Sequence, residues 1–257
     1  QHSGGVLTAL YGNDWIAGFD AEYTRGDVYE FQAGPRRFSF VQGLHYDYQV
    51  NAISAAAYAE RSLSLNRNLE LELGARGEYT HYDYDTRAAA GTTGRFIRAE
   101  DRKDGFFTLT PKVSLTYVAM PDLNVYARAA RGSRAPQVTD LYSAQQNQVP
   151  GEADVETLDS LEAGLKYRAH GLTLEAAAFT MWKDNFFFRN ANGFNVVNGK
   201  TRHSGIEFSF NTALTERLSV SGDGTLAKHT YDFDESVGSA SNNIIAGNRV
   251  DTAPDTL

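Results

Sequence analysis

The 257 residues contain no cysteine. That excludes disulfides, thiolate metal sites and dithiol redox chemistry. It suits a protein that crosses an oxidising periplasm, and equally suits many cytosolic ones. Long apolar runs are also missing: none approaches the roughly 18 residues of a membrane helix. Basic excess is missing too. The formal net charge is −8, the wrong sign for a nucleic-acid surface. There is no initiating methionine and no signal peptide, and the chain stops at APDTL without a clear end signal. The expectation is a segment of a longer protein. The mean hydropathy of −0.42 would suggest a soluble chain, but alternating membrane strands score poorly on any window average.

What is present is alternation. In NGKTRHSGIEFSF (198–210), from Ile206 onward, apolar and polar residues alternate strictly, the signature of a strand with one apolar and one polar face. The same pattern recurs about every 45 residues. The expected strands run Val50–Leu63 and Leu69–Asp85, Phe106–Val118 and Leu123–Ser133, Leu158–Arg168 and Leu172–Phe188, and Thr201–Ala213 and Leu218–Phe233. Short turns at 66–68, 120–122, 170–171 and 215–217 join them, with the expected Asn, Asp, Gly and Pro chemistry. A less regular first unit runs Gly4–Tyr11, turns at 12–14 and returns over Trp15–Phe31.

The remaining connections, roughly 34–49, 87–104, 134–156, 190–199 and 234–249, are long. Short and long connections therefore alternate, which places all short turns at one end of an up-and-down sheet. A soluble sandwich has no reason for that asymmetry, whereas an outer-membrane barrel does. Strands of fifteen or more residues also exceed the usual length of about 5–6, and about 9–11 tilted residues cross a bilayer. Leu69, Leu71, Leu73 and Ala75 oppose Glu70, Glu72 and Arg76; Leu161, Ala163 and Leu165 oppose Glu162 and Lys166. Trp15, Tyr79, Tyr117, Tyr167 and Trp182 gather toward strand ends, like the aromatic girdles around a lipid-facing band. The expected fold is an all-β, antiparallel, up-and-down transmembrane barrel, present in part as about ten strands.

YARAARGSRAPQVTDLY (126–142), ETLDSLEAGLKYR (156–168) and FNVVNGKTRHSGIEFSF (194–210), with LTPKVSLTYVAMPDLNVYARAARG (109–132), resemble the C-terminal half of a TonB-dependent outer-membrane receptor. The resemblance implies a 22-stranded barrel of the Gram-negative outer membrane. It also implies an N-terminal plug and import of a scarce ligand driven through TonB. Iron–siderophore complexes are the commonest ligands; haem, cobalamin and saccharides also occur. Residues 1–257 are expected to lie within the barrel domain. The chain departs from the family pattern in showing no plug, no TonB box and no final strand ending in an aromatic residue. As given, it is expected not to transport. Expected partners are the TonB complex, a small ligand, and outer-membrane lipid and lipopolysaccharide; no nucleic acid and no cofactor is implied.

Glu162 and Glu207 match two barrel carboxylates that hold plug arginines in some family members, and both lie on polar strand faces. Arg128 shares that face as a plug-facing residue, or as a simple partner for Glu162. THYDYD (80–85) and HTYDFD (229–234) are near-copies. An extended D-x-D lacks the converging carboxylates of a Ca²⁺ loop. Strand parity instead sends Asp83, Asp85, Asp232 and Asp234 outward and turns Tyr82, Tyr84, Tyr231 and Phe233 toward the vestibule. There they would touch ligand, or merely stiffen the rim. Arg131, Arg134, Arg189 and Arg202 gather near loop bases and would attract an anionic chelate; Arg134 joins the ligand-binding candidates. The six histidines show no ligand spacing, and His203 falls on the lumenal parity as an isolated residue. The alternatives are a ten-stranded outer-membrane protease, a passive porin and a soluble carbohydrate-binding sheet. The protease would need Asp and His at the rim, but His81 and Asp83 share the outward parity.

Overall fold

The computed structural model describes residues 1–35, 40–145, 148–189, 195–235, 243–250 and 253. The strands are β1 (His2–Tyr11), β2 (Trp15–Gln32), β3 (Gly43–Asn66), β4 (Leu69–Thr86), β5 (Gly91–Thr93), β6 (Phe96–Arg98), β7 (Arg102–Met120) and β8 (Leu123–Arg134). After one short helix, α1 (Val138–Tyr142), come β9 (Glu156–Ala169), β10 (Leu172–Arg189), β11 (Asn195–Thr215) and β12 (Leu218–Tyr231). Ten strands form one antiparallel sheet in the order β1-β2-β3-β4-β7-β8-β9-β10-β11-β12, so each main strand pairs with its neighbours in sequence. β1 and β12 are its edges, and the sheet is not closed among the described residues. Near its top, the free edge of β12 is met by the returning chain: Tyr231 N donates to Asn248 O at 2.8 Å and Val250 N to His229 O at 3.0 Å.

The period-2 pattern decides which way each side chain points. On β4, Leu73, Ala75 and Tyr79 are exposed on one face, whereas Thr80, Tyr82 and Tyr84 are buried on the other. Registers such as Ala178↔Ile206, Ala176↔Phe208 and Leu174↔Phe210 carry the apolar row from strand to strand. Ile206 and Phe208 are exposed, as are Leu109, Leu115, Leu161 and Leu226. A row of exposed aliphatics and alanines would be untenable in water at this size. It is the lipid face of a barrel wall, with Trp15, Tyr117 and Tyr79 exposed toward its borders.

On the opposite face, ion pairs reach across a strand by lying flat over a small residue. Arg76 of β4 pairs with Asp20 of β2, passing over the buried Ala56 of β3, which lies opposite Asp20 and Glu78. Lys112 of β7 reaches Glu60 of β3 at 2.6 Å and Glu72 at 2.8 Å. Its stem occupies the place of a side chain at Gly74, where a built Cβ would lie 2.8 Å from Lys112 Cε.

The strands run higher than the alternation indicates. β3 begins at Gly43 rather than Val50, β7 at Arg102 rather than Phe106, and β11 at Asn195 rather than Thr201. The segment expected to be a bare loop at 87–104 contains the β5–β6 hairpin, and the one at 134–156 contains α1.

Candidate functional site

The inner, polar face carries three groups of residues. The first lies at the long-loop end. Tyr46, Tyr48, Tyr82 and Tyr84 line the wall, and α1 packs onto them with Leu141 and Tyr142 fully buried. The wall tyrosines hold the loop by its backbone and one serine. Tyr46 Oη donates to Ala144 O at 2.7 Å, Tyr82 Oη donates to Pro136 O at 3.0 Å, and Tyr48 Oη meets Ser143 Oγ at 3.1 Å. Tyr142 Oη in turn donates to Asp104 at 2.7 Å, and Asp104 accepts two bonds from Arg102 at 2.6 and 2.8 Å. Burial alone would raise the Asp104 pKa, but the Arg102 and Tyr142 hydrogen bonds hold it below the usual carboxylate value. Burial, reinforced by Asp104, pushes the Tyr142 phenol well up. Gly151, at φ +77°, lies against the Arg102 guanidinium, where a built Cβ would fall 2.1 Å from Cζ.

Parity therefore places Tyr82 and Tyr84 inward, but they are covered. Their rings pack against Tyr142, with centroids 6.4 and 4.4 Å away, and they do not stand open in a vestibule. The physical reason is the fold-back of the APQVTDLY segment, which the strand pattern does not show.

The second group is the middle belt. The Tyr126 ring lies over Gly164, where a built Cβ would fall 2.7 Å from Oη, and Oη donates to Glu162 at 2.8 Å. Glu207 sits on β11 two strands away, close enough to act electrostatically on Tyr126 along with Glu162 and Glu175. Glu207 and Arg128 are exposed on this face, and neither has a hydrogen bond or ion pair among the described residues. Arg128 lies directly opposite Glu162 in register but forms no ion pair with it. The β2–β7 part of the wall thus carries the Arg76 and Lys112 ion pairs, and in the β8–β11 part Lys166 pairs with Glu175 at 3.5 Å while Glu207 and Arg128 stay unpaired.

The third group tops β10–β12. Phe186 stacks on Phe188 at 5.2 Å, Phe188 stacks on Tyr231 at 6.2 Å, and Tyr231 meets Phe233 edge-on at 6.0 Å. Gly199 leaves room for this shelf: a built Cβ would lie 3.0 Å from Phe188 and 3.4 Å from Phe233. Lys183 covers the Phe186 ring at 3.7 Å and pairs with Glu156 at 3.0 Å. Just below, His203 and His229 face one another in register, Nδ1 to Nδ1 at 2.7 Å. His203 is therefore not isolated.

The arginines do not form one cluster. Arg131 points outward to Asp159, at 2.6 Å. Arg202 points outward over Trp182, 5.7 Å from its centroid. Arg134 points inward and pairs with Glu156 at 3.1 Å. The side chain of Arg189 lies outside the described residues. Odd and even positions on neighbouring strands separate residues that sequence proximity groups together. No group of three or more metal-ligating side chains occurs among the described residues. His81 and Asp83 face outward, with Asp83 tied to Lys103 at 3.0 Å, so they form no protease-like pair in the lumen.

A family model described as "TonB dependent receptor-like, beta-barrel" matches residues 2–257. An uncharacterised TonB-dependent receptor of Haemophilus influenzae is 27% identical over 213 residues, covering 80% of this chain and 56% of that protein. The metal-pseudopaline receptor CntO of Pseudomonas aeruginosa is 26% identical over 202 residues, 75% of this chain and 26% of that one. Among solved structures, the ferric yersiniabactin uptake receptor FyuA of Yersinia pestis superposes with a TM-score of 0.69 at 17% identity. The match covers 99% of this chain and 38% of that one. The siderophore receptor PiuA of Acinetobacter baumannii gives 0.65 at 16% identity, over 99% and 42%. The chain thus spans about half or less of the relatives it matches. These relatives are transport receptors rather than enzymes, and barrels of this kind are built into the Gram-negative outer membrane. With its lipid-facing rows, its charged inner wall and a family match along nearly its whole length, the chain belongs to the TonB-dependent receptor β-barrel family.

Proposed function

We propose that the complete protein is an outer-membrane receptor that binds an iron–siderophore complex and imports it with energy delivered through TonB. Residues 1–257 would be one part of a larger, 22-stranded barrel that surrounds a plug. The observation that carries this reading is two inner-wall charges, Glu207 and Arg128, that have no ion-pair partner among the described residues. A passive pore has no need to leave Glu207 and Arg128 without partners beside Glu162, whereas a removable plug needs charges that can be exchanged for water at modest net cost. The printed names of several relatives, among them ferric siderophore and metal-chelate receptors, support the ligand class. Tyr231 and Phe233, with Phe186 and Phe188, offer a half-buried aromatic shelf at the mouth. Tyr82 and Tyr84 would act on ligand indirectly, by holding the α1 segment, and Arg134 through its inward charge. The outer face would meet lipid and lipopolysaccharide.

The test is binding against uptake of an iron-labelled siderophore by cells carrying the full-length receptor. Glu162→Ala with Glu207→Ala is expected to keep surface binding and to change TonB-dependent uptake. Tyr231→Ala with Phe233→Ala is expected to weaken binding while assembly is unchanged. Uptake that persists without TonB overturns the receptor reading. Lost binding with normal uptake per bound ligand in the glutamate variant overturns the plug-anchor role.

A further inference from the structure

We propose that His203 and His229 form a two-imidazole binding site for a borderline divalent cation, Cu²⁺, Ni²⁺ or Zn²⁺, on the inner wall of the barrel. This inference does not depend on the iron–siderophore reading.

Placement comes first. The two histidines are direct cross-strand partners on β11 and β12, and such partners hold their Cβ atoms about 4.5–5.5 Å apart. The rings are tilted by 56° with centroids 4.9 Å apart, and each turns its Nδ1 toward the other at 2.7 Å. Without a cation, the two Nδ1 atoms point at one another along the line between the rings. A cation held at about 2.0–2.1 Å from each nitrogen, with an angle near 90–110°, sets the nitrogens about 2.9–3.4 Å apart. To hold the cation, the nitrogens separate by roughly 0.2–0.7 Å and each ring turns by about 35–45° to aim its lone pair off the line between them.

Proton placement supports the same site. Two facing Nδ1 atoms can be this close only if one carries hydrogen and the other a lone pair. His203 Nε2 lies 2.9 Å from Oγ1 of the buried Thr201; in the tautomer in which Thr201 accepts from Nε2–H, His203 Nδ1 is the lone pair. His229 Nδ1 then carries the proton in the metal-free state. Cation binding requires His229 to move that proton to its own Nε2, and no net proton is lost. Thr201 meanwhile orients the first ligand, as outer partners of metal-bound histidines commonly do.

Chemistry selects the cation. Neutral imidazoles suit Cu, Ni and Zn, whereas hard cations need oxygen donors, and no carboxylate joins the pair among the described residues. The neighbouring ammonium of Lys183 is already occupied by Glu156. Two protein ligands leave the remaining coordination positions open to water or to donor atoms of a carried molecule.

The test uses the full-length receptor, purified in detergent from outer membranes and titrated with CuCl₂ or NiCl₂. Bound metal is counted by equilibrium dialysis, and Cu²⁺ nitrogen ligation is read by electron paramagnetic resonance. His203→Gln and His229→Gln keep side-chain volume and hydrogen bonding, and heat-modifiable gel mobility shows that each variant has assembled. Each is expected to lose one bound equivalent and the two-imidazole signal. Cu²⁺ should bind more tightly than Ni²⁺ or Zn²⁺, and Ca²⁺ should not compete. His81→Gln, on the outer face of β4, should change nothing. Equal stoichiometry and spectra in the wild type and either pair variant overturn the proposal, as does a wild type without an imidazole-ligated copper signal. Siderophore uptake that survives both variants leaves the transport reading intact, so the two proposals fail independently.

Discussion

Asp104 ties β7 to α1 at the mouth of the wall. It lies on β7, accepts from Arg102 two residues away, and accepts from Tyr142 of α1. At roughly 2.4 Å of rise per tilted residue, it stands some 38 Å above Met120, clear of an apolar band about 25 Å tall. Its folded pKa is depressed, because the Arg102 and Tyr142 hydrogen bonds outweigh the opposing effect of burial. The linkage sign follows: its contribution is fully present above the unfolded value near 3.9 and is lost as pH falls through the lower folded value. Hydrogen exchange over residues 136–144 should therefore accelerate below about pH 4. Asp104→Asn should loosen the same segment at neutral pH by about 1–2 kcal/mol, since Arg102 is partly exposed and screened, and should flatten the pH dependence. A wild-type profile that stays flat down to pH 2 would count against the latch. Gly151→Ala should loosen the segment as well, because its Cβ would meet the Arg102 guanidinium.

At this scale the sequence was half legible. That Tyr82 and Tyr84 point inward follows from counting by twos from Leu69. That they are buried does not, because their cover comes from residues more than fifty positions away. The His203–His229 pair was open to the same counting. Both lie equally far from the 215–217 turn and both fall on the inner parity; considering His203 alone concealed its partner.

At the scale of a strand, alternation is local information, and wherever one face meets lipid the pattern was readable. It fades where β3, β7 and β11 rise above the band, because both faces there meet water or loop and apolar–polar contrast no longer marks sides. The expected starts at Val50, Phe106 and Thr201 mark that loss of contrast, not the ends of the strands. α1, with five residues, and the three-residue strands β5 and β6 are too short to show a period at all. The face assignment can be checked within one strand. Phe208→Arg puts a guanidinium among Ala176, Ile206 and Phe210 on the outer row, and should cost about 2–4 kcal/mol of assembly if it lies near the bilayer midplane. Ser209→Arg enters the inner wall beside Asp223 and Glu175 and should be far milder. Folding titrations into lipid vesicles compare the two, and equal damage would remove the lipid–lumen distinction.

At the scale of the whole molecule, the sidedness of the connections carries the most consequence. Every short turn between main strands lies at one end of the sheet, and both β5–β6 and α1 belong to connections at the other. Orientation follows because outer-membrane barrels keep short turns in the periplasm and long loops outside. The unpaired charges of Arg128 and Glu207, beside Glu162, then lie between the two ends, and the aromatic shelf of Tyr231 and Phe233 faces the cell exterior. With no native cysteine in the chain, single cysteines report position cleanly. Arg67→Cys, Asp122→Cys and Glu216→Cys, all exposed in short turns, should react with a membrane-impermeant maleimide only after the outer membrane is opened. Thr92→Cys and Val149→Cys, exposed in the long connections, should react in intact cells. Thr92 is preferred to its neighbour Gly91, whose φ of +137° any side chain would strain. Reversed labelling of both sets would invert the barrel and place the aromatic shelf in the periplasm. Mixed labelling within either set would break the up-and-down topology itself, and with it the separation of lipid face from inner wall on which every residue assignment above depends.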